Sequence, residues 1–207
     1  MGDITSGIHH PMNTSPQDLI SQGRGPEAIK LIVQFTDKDR DHSRDSTPEP
    51  GEVKPSSPYA RRLVSWITDD EKFPLLLQAA GQVAKTPQPE EHYRNLAMIF
   101  EEGRGALGEA IIDRTLRQTT LNNIQKIFQT LGPGFYNYQR PPTEYEFNPK
   151  HYVVSPYSPT IDTPLEMILE LTSFFEDDAR SMTEKLGVDY DRAIKTMEMK
   201  TSSTNLM

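Results

Sequence analysis

The chain of 207 residues has no cysteine at all. That excludes disulfide frameworks, thiolate zinc sites, iron–sulfur clusters and cysteine nucleophiles. With no cysteine to staple it, a secreted setting is not expected, and an intracellular, cytoplasmic rather than nuclear location is the default reading. No uninterrupted apolar run approaches the roughly 20 residues of a membrane span, so none is expected. The start, MGDITSGIHHPMN, has neither a basic flank nor an apolar stretch and is not expected to be a signal peptide. Gly2 and Ser6 match the myristoylation spacing, but Asp3 beside the acyl site favours an ordinary chain terminus. Strong hydrophobes are scarce too. Leu, Ile, Val and Phe make up about 22% of residues, just above the ~20% below which chains tend not to fold. Such an average points to a folded part diluted by an unfolded one.

The hydrophobes divide the chain accordingly. Residues 1–36 are expected to be a weakly ordered arm. Within it Ser15-Pro16 has the form of a cap and first helical residue, opening a short helix that ends near Gly23. PEAIKLIVQF follows, where helix and strand fit equally because so short a β-branched run does not decide between them. Residues 37–57 carry six acids and four bases with Val53 as the one aliphatic. Too little surface is available there to offset the entropy of ordering, so a disordered charged linker is expected.

Residues 58–199 are expected to be the helical domain. Leu63, Trp66 and Ile67 share a face after Ser57-Pro58. Thr68-Asp69-Asp70-Glu71 has the spacing of a capping box, with Thr68 as the cap. Thr86-Pro87 opens a further helix. Leu121, Ile124, Phe128 and Leu131 form the clearest amphipathic stripe, stopped by Gly132-Pro133-Gly134. The connector at 135–162 is rich in tyrosine and proline and leaves room for one short β-hairpin over 145–154. Thr163-Pro164-Leu165-Glu166 is the strongest helix start, and the helix is expected to run to Gly187 with apolar residues on two sides. Leu165, Ile168, Leu169 and Phe175 form one stripe; Met167, Leu171 and Phe174 form the other. Asp189 caps a last helix to about Glu198, and residues 200–207 are expected to be a disordered tail. The expected fold is thus mainly α, a single multi-helix domain whose core includes Leu63, Trp66, Leu76, Leu96, Phe100, Ile111, Leu121, Ile124, Phe128, Leu131, Leu165, Ile168, Leu169 and Phe175.

No catalytic constellation stands out. Asp37, Asp39, Asp41, Ser43 and Asp45 fall at alternate positions of a calcium loop, but His42 replaces the turn glycine and Pro48 the bidentate glutamate. The five histidines lack zinc spacing. GRGALGEA at 103–110 lacks the spacing of a phosphate loop and fits a turn between helices. Glu176-Asp177-Asp178 and Asp69-Asp70-Glu71 fit helix-start electrostatics without a magnesium ion. Ser/Thr-Pro pairs at Thr47, Ser155 and Ser158 suit proline-directed phosphorylation, whereas those at Ser15, Ser57, Thr86 and Thr163 are explained as caps. No cofactor, metal or small-molecule substrate is expected.

Two function classes therefore compete. The expected one is a non-enzymatic interaction or assembly protein (scaffold, adaptor or oligomer) that binds a protein partner or itself through Met167, Leu171 and Phe174. The alternative is a nucleic-acid-associated protein, such as a small virion or ribonucleoprotein component. It would use the basic Arg104, Arg114, Arg117, Lys126 and Arg140 together with the connector tyrosines as stacking platforms. A net charge of −8 argues against general attraction to phosphate backbones. An enzyme with a helical pocket is a third, less favoured class.

Overall fold

Local capping chemistry starts the first helix. The Ser15 hydroxyl accepts the Asp18 amide at 3.1 Å while the Asp18 carboxylate accepts the Ser15 amide at 3.0 Å, satisfying two end donors reciprocally. The computed structural model describes residues 15–33, 58–139 and 163–204. Among these the chain is helical, with no strand: α1 (Pro16–Ser21), α2 (Gly25–Val33), α3 (Pro58–Thr68), α4 (Phe73–Ala84), α5 (Glu90–Glu102), α6 (Arg104–Ile112), α7 (Arg117–Leu131), α8 (Pro133–Tyr136), α9 (Pro164–Leu171), α10 (Glu176–Leu186) and α11 (Tyr190–Thr204). The expected linker at 37–57, the calcium-like run, the 145–154 hairpin and the phosphorylation candidates Thr47, Ser155 and Ser158 lie outside the described residues.

Helix α7 is the hub. It packs against α3, α4, α6, α8 and α10, which is why it buries Ile127, Thr120, Asn123 and Gln125 besides its apolar stripe. Asn123 Nδ2 donates to the Ile67 carbonyl at 2.6 Å and so satisfies the end of α3 from within the core. Gly132, at φ 79°, ends α7 in the left-handed region that favours glycine. The chain then turns Phe135 and Tyr136 inward. Phe135 stacks at centroid distances of 5.7 Å on Tyr93 and Phe100 and 5.8 Å on Phe128, in the tilted and edge-on geometries that ring quadrupoles favour. Both rings therefore belong to the core and not to the connector, and Tyr138 packs against it.

The N-terminal arm is the principal correction. Leu19, Ile20, Ala28, Ile29 and Ile32 are buried in the same core as α3–α9. Helix α2 lies on α4 at a close crossing made of small residues. A Cβ on Gly25 would stand 2.5 Å from the Ala79 carbonyl oxygen and 2.6 Å from Gln82 Cβ. Gln82 Nε2 donates to the Ile20 carbonyl at 2.7 Å, tying the end of α1 to the same place. Residues 16–33 are thus integral to the domain, which does not begin at residue 58.

Smaller differences have local causes. Thr68 closes α3 by donating its hydroxyl to the Val64 carbonyl at 2.8 Å. Asp69 takes the capping role instead, accepting the Glu71 and Lys72 amides at 2.9 and 3.0 Å. Thr86 likewise ends a helix, donating to the Val83 carbonyl, and α5 begins only at Glu90. The 164–187 segment is two helices. The buried Thr172 hydroxyl donates to the Ile168 carbonyl at 2.8 Å, and side-chain bonding of this kind competes with helix continuation. Three acids in the first turn of α10 then favour a new start. Helix α11 runs through Thr204, so residues 200–204 are not a disordered tail. Trp66 and Phe175, expected in the core, are only half-buried.

Candidate interaction surface

The partner candidates do not share one helical face. Met167 is buried on α9. Leu171 is half-buried, its Cδ2 3.3 Å from where a Cβ on Gly108 would stand, so α9 rests on a side-chain-free spot of α6. Phe174 lies beyond the end of α9 and is 91% exposed. Of the three expected contact residues, Phe174 alone presents a full side chain to solvent.

It is not isolated. Ile112 is 67% and Leu116 37% exposed, and both flank the turn between α6 and α7. Arg117 joins that turn to the one between α9 and α10. Its Nε donates to the Ile111 carbonyl at 2.7 Å and its Nη2 to the Ile112 carbonyl at 3.2 Å. Its guanidinium carbon sits 3.5 Å from the centroid of the Phe175 ring. One cation thereby satisfies the carbonyl end of α6, where positive charge is favoured, and fixes the second turn by cation–π stacking. The turn that carries Phe174 and Phe175 is thereby joined to the one flanked by Ile112 and Leu116. Sequence periodicity missed Ile112 and Leu116 because Ile112 is the exposed last residue of α6 and Leu116 belongs to the turn that follows. The usable signal was Asp113-Arg114-Thr115, the form of an Asx turn. Asp113 Oδ1 accepts the amide and hydroxyl of Thr115, each at 2.7 Å, and the Leu116 amide at 3.3 Å.

The basic residues of the nucleic-acid alternative are largely engaged within the chain. Arg104, in the first turn of α6, donates to the Glu170 carboxylate of α9. Arg117 is committed as described. Lys126 Nζ lies 5.7 Å from the Phe73 ring centroid. Arg114 is exposed, with no partner among the described residues. Arg140 lies outside the described residues. The described residues hold no group of three or more His, Asp or Glu that could hold a metal ion, and no described helix is long and apolar enough to cross a membrane.

The turns carry their own pH dependence. Hydrogen bonds from the Thr115 side chain, then its backbone, hold the Asp113 carboxyl below the usual range. The Lys72 side chain, then its backbone, does the same for Asp69. A carboxyl whose folded pKa lies below its unfolded value of about 3.9 stabilises the fold above that value, and this contribution fades as pH falls through the folded value. The urea midpoint should therefore fall between about pH 5 and about pH 3. Asp113→Ala, which is less stable at the upper pH, should lose less over that interval; an equal loss in both proteins would show that the Asp113 cap is not a source of the slope.

Compared with known proteins, the chain matches no family model, no curated protein and no solved structure.

Proposed function

We propose that this is a non-enzymatic interaction protein, acting in assembly or as an adaptor, and that it meets a protein partner at the corner formed by Ile112, Leu116 and Phe174. One observation carries the reading: Phe174, 91% exposed, and two other exposed large apolar residues, Ile112 and Leu116, lie at two turns that one arginine bridges. Single exposed apolar residues are ordinary on any surface, whereas clustered ones mark contact sites. An aromatic side chain among them suits such a site, since contact cores are enriched in aromatics. The lack of cysteine supports an intracellular, cytoplasmic setting for the encounter.

The test compares the full-length chain with Phe174→Asp as bait in extracts of the cells that make it. An exposed side chain can take a charge without desolvation, so the thermal midpoint should stay within about 2 °C of the parent, as for surface substitutions generally. Proteins retained by the parent should be lost by the variant. Retention of the same proteins by a folded Phe174→Asp would overturn the reading.

A further inference from the structure

We infer that the occupant of this corner is a second copy of the chain, placed across a two-fold axis; the inference rests on the interaction reading above and names its partner. The argument is charge complementarity around the apolar centre. The turn entering α7, residues 113–117, carries Arg114 and Arg117 against Asp113, a net positive charge. Arg117 donates to the Ile111 carbonyl, and the Asp113 carboxylate accepts from Thr115 within the turn itself. That leaves the Arg114 guanidinium as the turn's outward charge, exposed and without a partner among the described residues.

The other turn leads directly into Glu176, Asp177 and Asp178, three carboxylates in one helical turn. Arg180 answers Glu176 at 2.8 Å. Asp177 is exposed and, like Arg114, has no partner among the described residues. The corner therefore bears, on one turn, a cation without a partner among the described residues and, in the helical turn that follows the other, a carboxylate likewise without one, with Ile112, Leu116 and Phe174 exposed at these two turns. A surface of this kind complements itself. In a two-fold contact residue i meets residue j and j meets i, so each Arg114 faces the other copy's Asp177 while the apolar residues close on their counterparts. Charge pairs at the rim set orientation and suppress wrong partners, and the apolar centre supplies most of the affinity.

Sedimentation equilibrium of the purified full-length chain over a range of concentrations tests this. The parent should show a monomer–dimer equilibrium. Arg114→Glu and Asp177→Arg, each alone, place like charges opposite one another twice per dimer and should weaken association by about tenfold or more, since 1.4 kcal/mol is tenfold. The combined Arg114→Glu/Asp177→Arg variant re-pairs the charges with signs exchanged and should recover to within a few-fold of the parent. Circular dichroism of each variant checks the fold, and recovery in the double variant excludes misfolding as the cause of loss in the singles. A parent that stays monomeric, because another part of the chain covers the corner or because nothing does, overturns the inference. So does a dimer indifferent to the single reversals or unrestored by the double one. A monomeric parent that still loses its captured partners through Phe174→Asp refutes self-association alone; capture unaffected by Phe174→Asp refutes the interaction reading itself.

Discussion

A fragment beginning at Pro58 should show no cooperative unfolding transition, although the sequence places a boundary there. Residues 15–33 bury Leu19, Ile20, Ile29 and Ile32 in the common core. At ~1.5–3 kcal/mol for each large aliphatic side chain fully buried, these four contribute about 6–12 kcal/mol of gross stabilisation. That is comparable with the whole net stability of a typical domain, about 5–15 kcal/mol. Removal also strips α4 of the helix that crosses it at Gly25 and Ala79. Thermal melts followed by circular dichroism compare the fragment with the full chain. A cooperative melt at the parental midpoint would mean that α1 and α2 are accessories to a domain complete without them.

Phe128→Ala should cost about 3–5 kcal/mol, the range for removing a fully buried aromatic side chain. Phe128 has no exposed surface and contacts three other rings, with centroids 5.9 Å away for Phe100 and 5.8 Å for Phe135 and Tyr136. Those rings come from α5 and α8, so the cavity would open where three helices meet and few side chains can collapse into it. Urea denaturation reads the loss as a lowered midpoint at unchanged slope. A loss below about 1 kcal/mol would contradict the placement of Phe128 at the centre, since conservative core repacking usually stays in that range.

How far the sequence revealed this fold depended on whether the signal was local. Ser15-Pro16 with Asp18, and Thr163-Pro164 with Glu166, are legible because a cap and its amide partner lie three residues apart; both side chains cap as expected. The α7 stripe is legible because one face of 15 residues repeats at helical spacing. The role of residues 16–33 was hidden for two reasons. Their aliphatics are averaged with a polar neighbouring segment, and the α2–α4 contact is encoded by Gly25 and Ala79, whose meaning is close backbone approach and not hydrophobicity. The break between α9 and α10 was written in Thr172, Ser173 and the acids that follow, but a continuous apolar stripe outweighed them.

The candidate surface was legible only in part. Phe174 was marked by its hydrophobicity, but for the wrong reason, as one face of a continuous helix. Met167 belonged to the same stripe and is buried. Ile112 and Leu116 needed the tertiary link through Arg117, whose contacts with the Ile111 and Ile112 carbonyls and with Phe175 are as much as 58 residues apart in sequence. No periodicity contains such a link. The same bridge gives Arg117, expected to meet nucleic acid, bonds within the chain as well.

Hydrogen–deuterium exchange of the full-length chain at low and high protein concentration tests most directly whether these two turns form a contact surface between copies of the chain. Residues 111–117 and 172–178 should become more protected as concentration rises, while α3, α4 and α5 keep the same protection, because the corner alone is covered on association. Exchange at the two turns that is independent of concentration, or protection that appears elsewhere, would contradict the account.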